Sequence, residues 1–242
     1  MIEDSSVCLV NCHLAAGQGA VRQRNADIAG MLEDKTAFPQ TEYPFAYVGG
    51  GDGTMVLDHE IVFVNVSVSW GFSICFAYVF RQVSGDMNYR IDHRRDAIIS
   101  AVRGNDLASL LAHDQLLREI KFNHACRLRG FSEGPLSFSP TYKYDRRSDE
   151  YDSSEKRRPP AWCDRVLWKS SVPSQVHQLH YRRYEANVSD HRPISAAFTV
   201  KVKSIKHDVR QRVKAEVQAV WMKEQERLLA VARQFYIKQA LI

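Results

Sequence analysis

Residues 61–80, IVFVNVSVSWGFSICFAYVF, form a run of twenty without a single charge. A stretch of that length is long enough for a membrane-spanning helix. Asn65, Ser67, Ser69 and Ser73 interrupt the run, and residues 64–70 alternate apolar and polar, which is the period of a strand rather than a helix. A spanning helix would also pull the polar segment that follows, SGDMNYRID, away from any sheet able to hold it. No transmembrane span is therefore expected, and IVFVN alone suffices for one buried strand.

A chain of 242 residues can bury a sizeable core. Its 45% hydrophobic and 25% charged residues are globular values. The excess of 33 Lys and Arg over 28 Asp and Glu, a net +5, is too small to call for nucleic acid but suits an anionic ligand or an acidic membrane face. Five cysteines, at 8, 12, 75, 126 and 163, are odd in number and make no paired CxxC, which argues against zinc or a disulfide framework and for a reducing compartment. The opening MIEDSS is acidic where a signal peptide begins basic, so a cytoplasmic location is expected.

CLVNCHLAAG (8–17) reads as a short strand running into a turn, and residues 20–35 as a helix ended by Phe38-Pro39. GGGDGT (49–54) lacks the Lys-Ser/Thr ending of a phosphate loop and a helix to follow, and is expected to be an exposed turn. Helices are expected over 94–103 and 106–120, the second capped by Asp106, with a loop over 131–160. Strand signals return in CDRVLW, VHQLHYRRY and ISAAFTVKV. From Ser204 onward Val209, Val213, Val217 and Leu228 recur at helical spacing among charges, which predicts one long amphipathic helix. The mixture points to a layered α/β sandwich.

Four polar clusters, VNCHLAA, GDMNYR, PAWCDRVLW and SDHRP, each adjoin a short apolar strand, where a sheet holds side chains rigidly around a common cleft. Singly, each has a plain reading: GDxN as a turn, His13 as a satisfied core histidine, SDH before Pro193 as a capped loop, Trp162 as a packing anchor. Together and in this order they read as one site. Asp86 and Asn88, two apart, point the same way on an extended backbone; the Asp would orient or deprotonate a water and the Asn amide would donate to a developing oxyanion. His191 would pair with Asp164, and Asp190 would face a divalent metal.

The order NCHLAAG, GDMNYRID, PTYKYDRRSDEYDSSEKRRPPAWCDRVLW, SDHRPISAAF resembles the inositol polyphosphate 5-phosphatases, within the endonuclease/exonuclease/phosphatase superfamily. GDxN and SDH are shared across that superfamily; PTYKYD and PAWCDR are specific to the 5-phosphatases. The likeness covers residues 5–60 and 83–203. It implies a DNase I-like α/β fold, a two-layer β-sandwich flanked by helices, and a Mg²⁺-dependent phosphomonoesterase that removes the 5-phosphate from phosphoinositides or inositol polyphosphates at the cytoplasmic face of membranes. By motif, Asp86 and Asn88 would hold the attacking water and phosphoryl oxygens. Asp164 would orient His191, His191 would stabilise the pentavalent phosphorus centre, and His13 would contact the scissile phosphate or its metal. Tyr142, Lys143 and Lys156 would grip the neighbouring ring phosphate, with Arg165 adding to that grip. An abasic-site-type endonuclease shares GDxN and SDH but not PTYKYD or PAWCDR, and no long basic face is evident, so nucleic acid is not an expected partner.

The resemblance carries two departures. The family's domain opens on two strands, bearing an Asn and the Glu that is its principal Mg²⁺ ligand, ahead of the His13 strand, so the sandwich is expected to be incomplete at the N-terminus. Residues 66–82 are expected to be an insertion of the kind a retained intron encodes, since deleting them restores IVFVN–VSGDMNYRID. The expected organisation is a partial catalytic domain over 1–203 and a C-terminal amphipathic helix over 204–242. The alternative function is a catalytically inactive fragment or isoform that at most binds phosphoinositides.

Overall fold

The computed structural model describes residues 2–38, 54–65, 68–73, 77–82 and 85–240. Its contacts divide the chain into two units, Met1–Val202 and Lys203–Ile242. The first holds two four-stranded sheets. One contains β1 (Val7–Val10), β2 (Ile61–Val64), β5 (Ser132–Glu133) and β6 (Leu167–Ser170) in the order β1-β2-β6-β5. The other contains β3 (Val68–Ser73), β4 (Ala77–Gln82), β7 (Val176–Arg183) and β8 (Ile194–Lys201) in the order β3-β4-β8-β7.

The charge-free run explains itself through β2. Its four residues are all buried, pairing in parallel with β1 on one side and antiparallel with β6 on the other. Ile61 and Phe63 enter the core shared with Trp162, Ile194, Ala196, Phe198 and Val200, where the Phe63 and Phe198 rings lie 5.0 Å apart. Val62 and Val64 enter a second core with Ile28 and Leu32 of α1 (Val21–Glu33) and Leu116 of α4 (Gln115–Phe122). A strand covered on both faces reads as a continuous apolar run rather than an alternating one. Further along the run β3 pairs antiparallel with β4, and β4 pairs antiparallel with β8. No described helix is long and apolar enough to cross a membrane.

The expected helix over 106–120 is two helices, α3 (Leu107–Leu111) and α4, which follow α2 (Arg95–Arg103). Two carboxylates make the break. Asp106 accepts from the Ser109 N–H at 3.2 Å, and Asp114 caps the second piece by accepting from the Leu117 N–H at 2.9 Å. The C-terminal unit is α5 (His207–Ala240). Among the described cysteines, 8, 12, 126 and 163 are free and buried. Cys75 and the expected turn at 49–53 lie outside the described residues. Two sheets flanked by helices are the expected α/β sandwich of DNase I-like form.

Candidate active site

The four polar clusters meet because their backbones are laced together beyond the ends of the strands. Leu14 N–H donates to the Asp86 carbonyl at 2.9 Å, Met87 N–H to Cys163 at 2.8 Å, and Arg192 N–H to Thr141 at 2.8 Å. Tyr142 bridges to both Ala161 and His191. The result is a cleft of about 490 Å³ lined by Asn11, Cys12, His13, Gly85, Asp86, Asp164, Ser189 and His191.

Within it Asp164 is nearly buried, and its Oδ2 accepts from the Thr141 hydroxyl at 2.6 Å and stands 3.0 Å from His191 Nδ1. Nε2 of the same ring faces Asp86 Oδ2 at 3.8 Å, and His13 Nε2 faces that oxygen at 3.7 Å from a side chain 76% exposed. Both separations exceed a hydrogen bond, so Asp86 Oδ2 is uncommitted between two imidazoles. Its partner Oδ1 is occupied by the Asn88 N–H at 2.8 Å.

These contacts shift the ionisation of the groups in the cleft. Burial disfavours a charged ring at His191, but the hydrogen bond and charge of Asp164, helped by Asp86 and Asp190, outweigh it and lift its pKa above the ordinary value. Burial, then the charge of Asp164, push the Asp86 carboxyl above the usual carboxylate range, against His191, the Asn88 N–H and His13. Burial, and then Asp86, drive the Cys12 thiol up to about 12, which removes it as a thiolate nucleophile.

Three expected roles change with the geometry. Asn88 is not on extended backbone: its φ is +55° and it is 2% exposed. Its amide donates to the Leu14 carbonyl at 3.0 Å and its Oδ1 accepts from Arg90, so it shapes the turn that presents Asp86 instead of facing the cleft. Arg165 does not reach outward at all. Fully buried, it bonds both oxygens of Asp114 at 3.0 Å and both of Glu133 at 2.6 Å, tying α4 and β5 to the strand that leaves Asp164. Asp190 is absent from the cleft lining; its carboxylate accepts from the Ser189 hydroxyl at 3.3 Å while its carbonyl takes the Tyr144 N–H.

Tyr142 is 7% exposed, its ring 4.7 Å from that of His191 and capped on Arg90, whose guanidinium carbon lies 4.3 Å from the ring centre. Lys143, next along, stays part-exposed, with Nζ 3.9 Å from Asp152. Asp152 also accepts from the Ser154 and Arg158 N–H groups, at 3.2 and 2.9 Å, and so organises the turn that carries exposed Lys156.

Several supporting residues were not singled out in the sequence. Asn65, buried with φ +72°, donates to the Gly85 carbonyl at 2.6 Å and accepts from the Cys12 N–H at 3.4 Å, joining two of the four clusters. That close approach is why residue 85 is glycine: a Cβ there would sit 1.9 Å from Asn65 Oδ1. Thr141, Arg90 and Asp152 belong to quoted motifs, and their signal was a polar residue fixed beside a reacting one.

Residues 1–197 match endonuclease/exonuclease/phosphatase family 2. A probable inositol polyphosphate 5-phosphatase of Schizosaccharomyces pombe is 42% identical over 85% of the chain, and human synaptojanin-1 is 33% identical over 91%. The chain spans 16% and 14% of the length of these two relatives. The inositol polyphosphate 5-phosphatase domain of a synaptojanin, solved with inositol (1,4)-bisphosphate and a calcium ion, matches 92% of the chain and 55% of its own, with a TM-score of 0.68 at 25% identity. The chain thus belongs to endonuclease/exonuclease/phosphatase family 2, in the branch of the inositol polyphosphate 5-phosphatases.

Proposed function

We propose that the cleft hydrolyses the 5-phosphate of a phosphoinositide or soluble inositol polyphosphate. The observation that carries this reading is the convergence of His13, Asp86, Asp164 and His191, with one Asp86 oxygen uncommitted between two imidazoles. Phosphoryl transfer asks for positioning and for positive charge more than for covalent chemistry. Asp86 positions the attacking water and draws on its proton. His191, whose charged form Asp164 favours, faces the phosphoryl oxygens as negative charge grows there. His13, exposed at the rim, contacts the scissile phosphate. Lys143 and Lys156 hold the adjacent ring phosphate; Tyr142, expected to share that grip, is 7% exposed with its ring 4.7 Å from that of His191 and positions His191 instead.

The donor set suits Mg²⁺. That ion keeps several waters and uses one or two carboxylates plus substrate phosphate rather than an all-protein cage. Among the described residues no group of three His, Cys, Asp or Glu converges, and Asp86 offers a single free carboxylate oxygen. Asp86 would hold the hydrated cation through a water bonded to its free oxygen, and the ion when bound supplies charge to the phosphoryl oxygens. A lipid substrate places the chain at the cytoplasmic surface of an anionic membrane.

The same sparse donor set favours a second reading, a module that binds phosphoinositides without turnover. Incubation with inositol (1,4,5)-trisphosphate and Mg²⁺ separates the two. Inositol (1,4)-bisphosphate as the product supports the hydrolase. Release of a different phosphate contradicts the assignment, and saturable binding without product supports the module.

A further inference from the structure

Residues 203–242 carry nine of the chain's Lys and Arg and four of its Asp and Glu, so the whole net charge of +5 resides there and residues 1–202 are balanced. Helix α5, 34 residues, is about 51 Å long. Along it Val209, Val213, Val217, Val220, Leu228 and Val231 recur in a 4-4-3 spacing, with Glu224 filling the one polar place. Such an 11-residue repeat keeps nearly in step with the helix, so the stripe runs straight along one side. Its six apolar members are between 37% and 69% exposed, and Trp221 beside them is 58% exposed. Glu224 is bonded by Arg227 at 2.7 and 2.9 Å, which neutralises the one acid on the stripe.

A straight apolar stripe on a basic helix needs a cover. A second copy of the helix would set two strongly positive helices side by side. An anionic lipid surface matches both features: about 4–8 basic residues on an amphipathic helix suffice to read anionic lipid, and aromatic residues favour the headgroup level. We propose that α5 lies flat on an anionic membrane surface, with the valine stripe at the acyl boundary and its basic residues among the headgroups. The proposal goes beyond the phosphatase reading and does not depend on it, because vesicle binding needs no turnover.

The test sediments the intact chain with phosphatidylcholine vesicles, alone or with about 30% phosphatidylserine, at low and high salt. The expected result is binding to the anionic vesicles only, weakened by salt. The double variant Val217→Asp/Leu228→Asp should lower it about tenfold or more, while Met222→Asp, on the opposite side of the helix, leaves it intact. Thermal melts of the three chains check that residues 1–202 stay folded in each. Equal binding to neutral vesicles, no binding, or loss with Met222→Asp as severe as with the double variant overturns the proposal. So does a dimer, seen by light scattering, that the double variant dissociates, since the stripe then belongs to a second copy.

Discussion

Asp164 is committed on the oxygen that matters: Oδ2 takes the Thr141 hydroxyl and the His191 ring together. The account therefore predicts that Asp164→Asn lowers the His191 pKa, read by NMR of the metal-free chain. In the native chain that pKa is raised, so the charged ring contributes stability that is fully present below its unfolded value near ~6.5 and is lost as pH rises through the folded value. Asp164→Asn should flatten that dependence. An unchanged His191 titration would show that the pair does not act. Asp152 has the opposite sign. Burial raises its pKa, but the Ser154 hydroxyl and the Arg158 and Ser154 N–H groups, then Lys143, outweigh it and hold the carboxyl below the usual range. Its contribution is present above the unfolded pKa near ~3.9 and disappears as pH falls through the folded value. Asp152→Asn should remove that acid-side loss and raise KM for substrates bearing the adjacent phosphate, since the turn carrying Lys156 loosens. Arg165→Met leaves Asp114 and Glu133 buried without their cation, a loss of about 3–5 kcal/mol in denaturant titrations. If Arg165 acted instead on substrate, the melt would hold and KM alone would rise.

At the scale of elements, the sequence was most legible where one force acted alone. β2 was readable because burial on both faces demands an unbroken apolar run, and α1 because its spacing is helical. The helix over 106–120 was misjudged because Asp114 serves both as the N-cap of α4 and as a ligand of Arg165 from a segment 51 residues away, a contact no local pattern displays. Asn88 failed for a similar reason: the Asp86 carboxylate bonds the Asn88 N–H, closing a turn where spacing alone suggested extended backbone. The order of the four motifs was visible in the chain, and the cross-links that make them one cleft were not. We propose that residues 66–82 are an insert. The paired strands β3 and β4 lie within them and β4 pairs with β8, so the insert has found a sheet edge to cover. Transcript reads should include a fraction that joins the codons of Asn65 and Val83 directly; reads that all retain the segment contradict it.

At the scale of the molecule, relatives establish the family, and turnover by this chain is the claim to measure. Phosphate release from phosphatidylinositol 4,5-bisphosphate, with Mg²⁺ and beside a His191→Ala control, tests it most directly. The account predicts release by the native chain and a fall of about 10²–10³-fold in the variant, the range for losing one positioned stabiliser of developing negative charge. Release that survives His191→Ala unchanged, or none from a folded native chain, would contradict it.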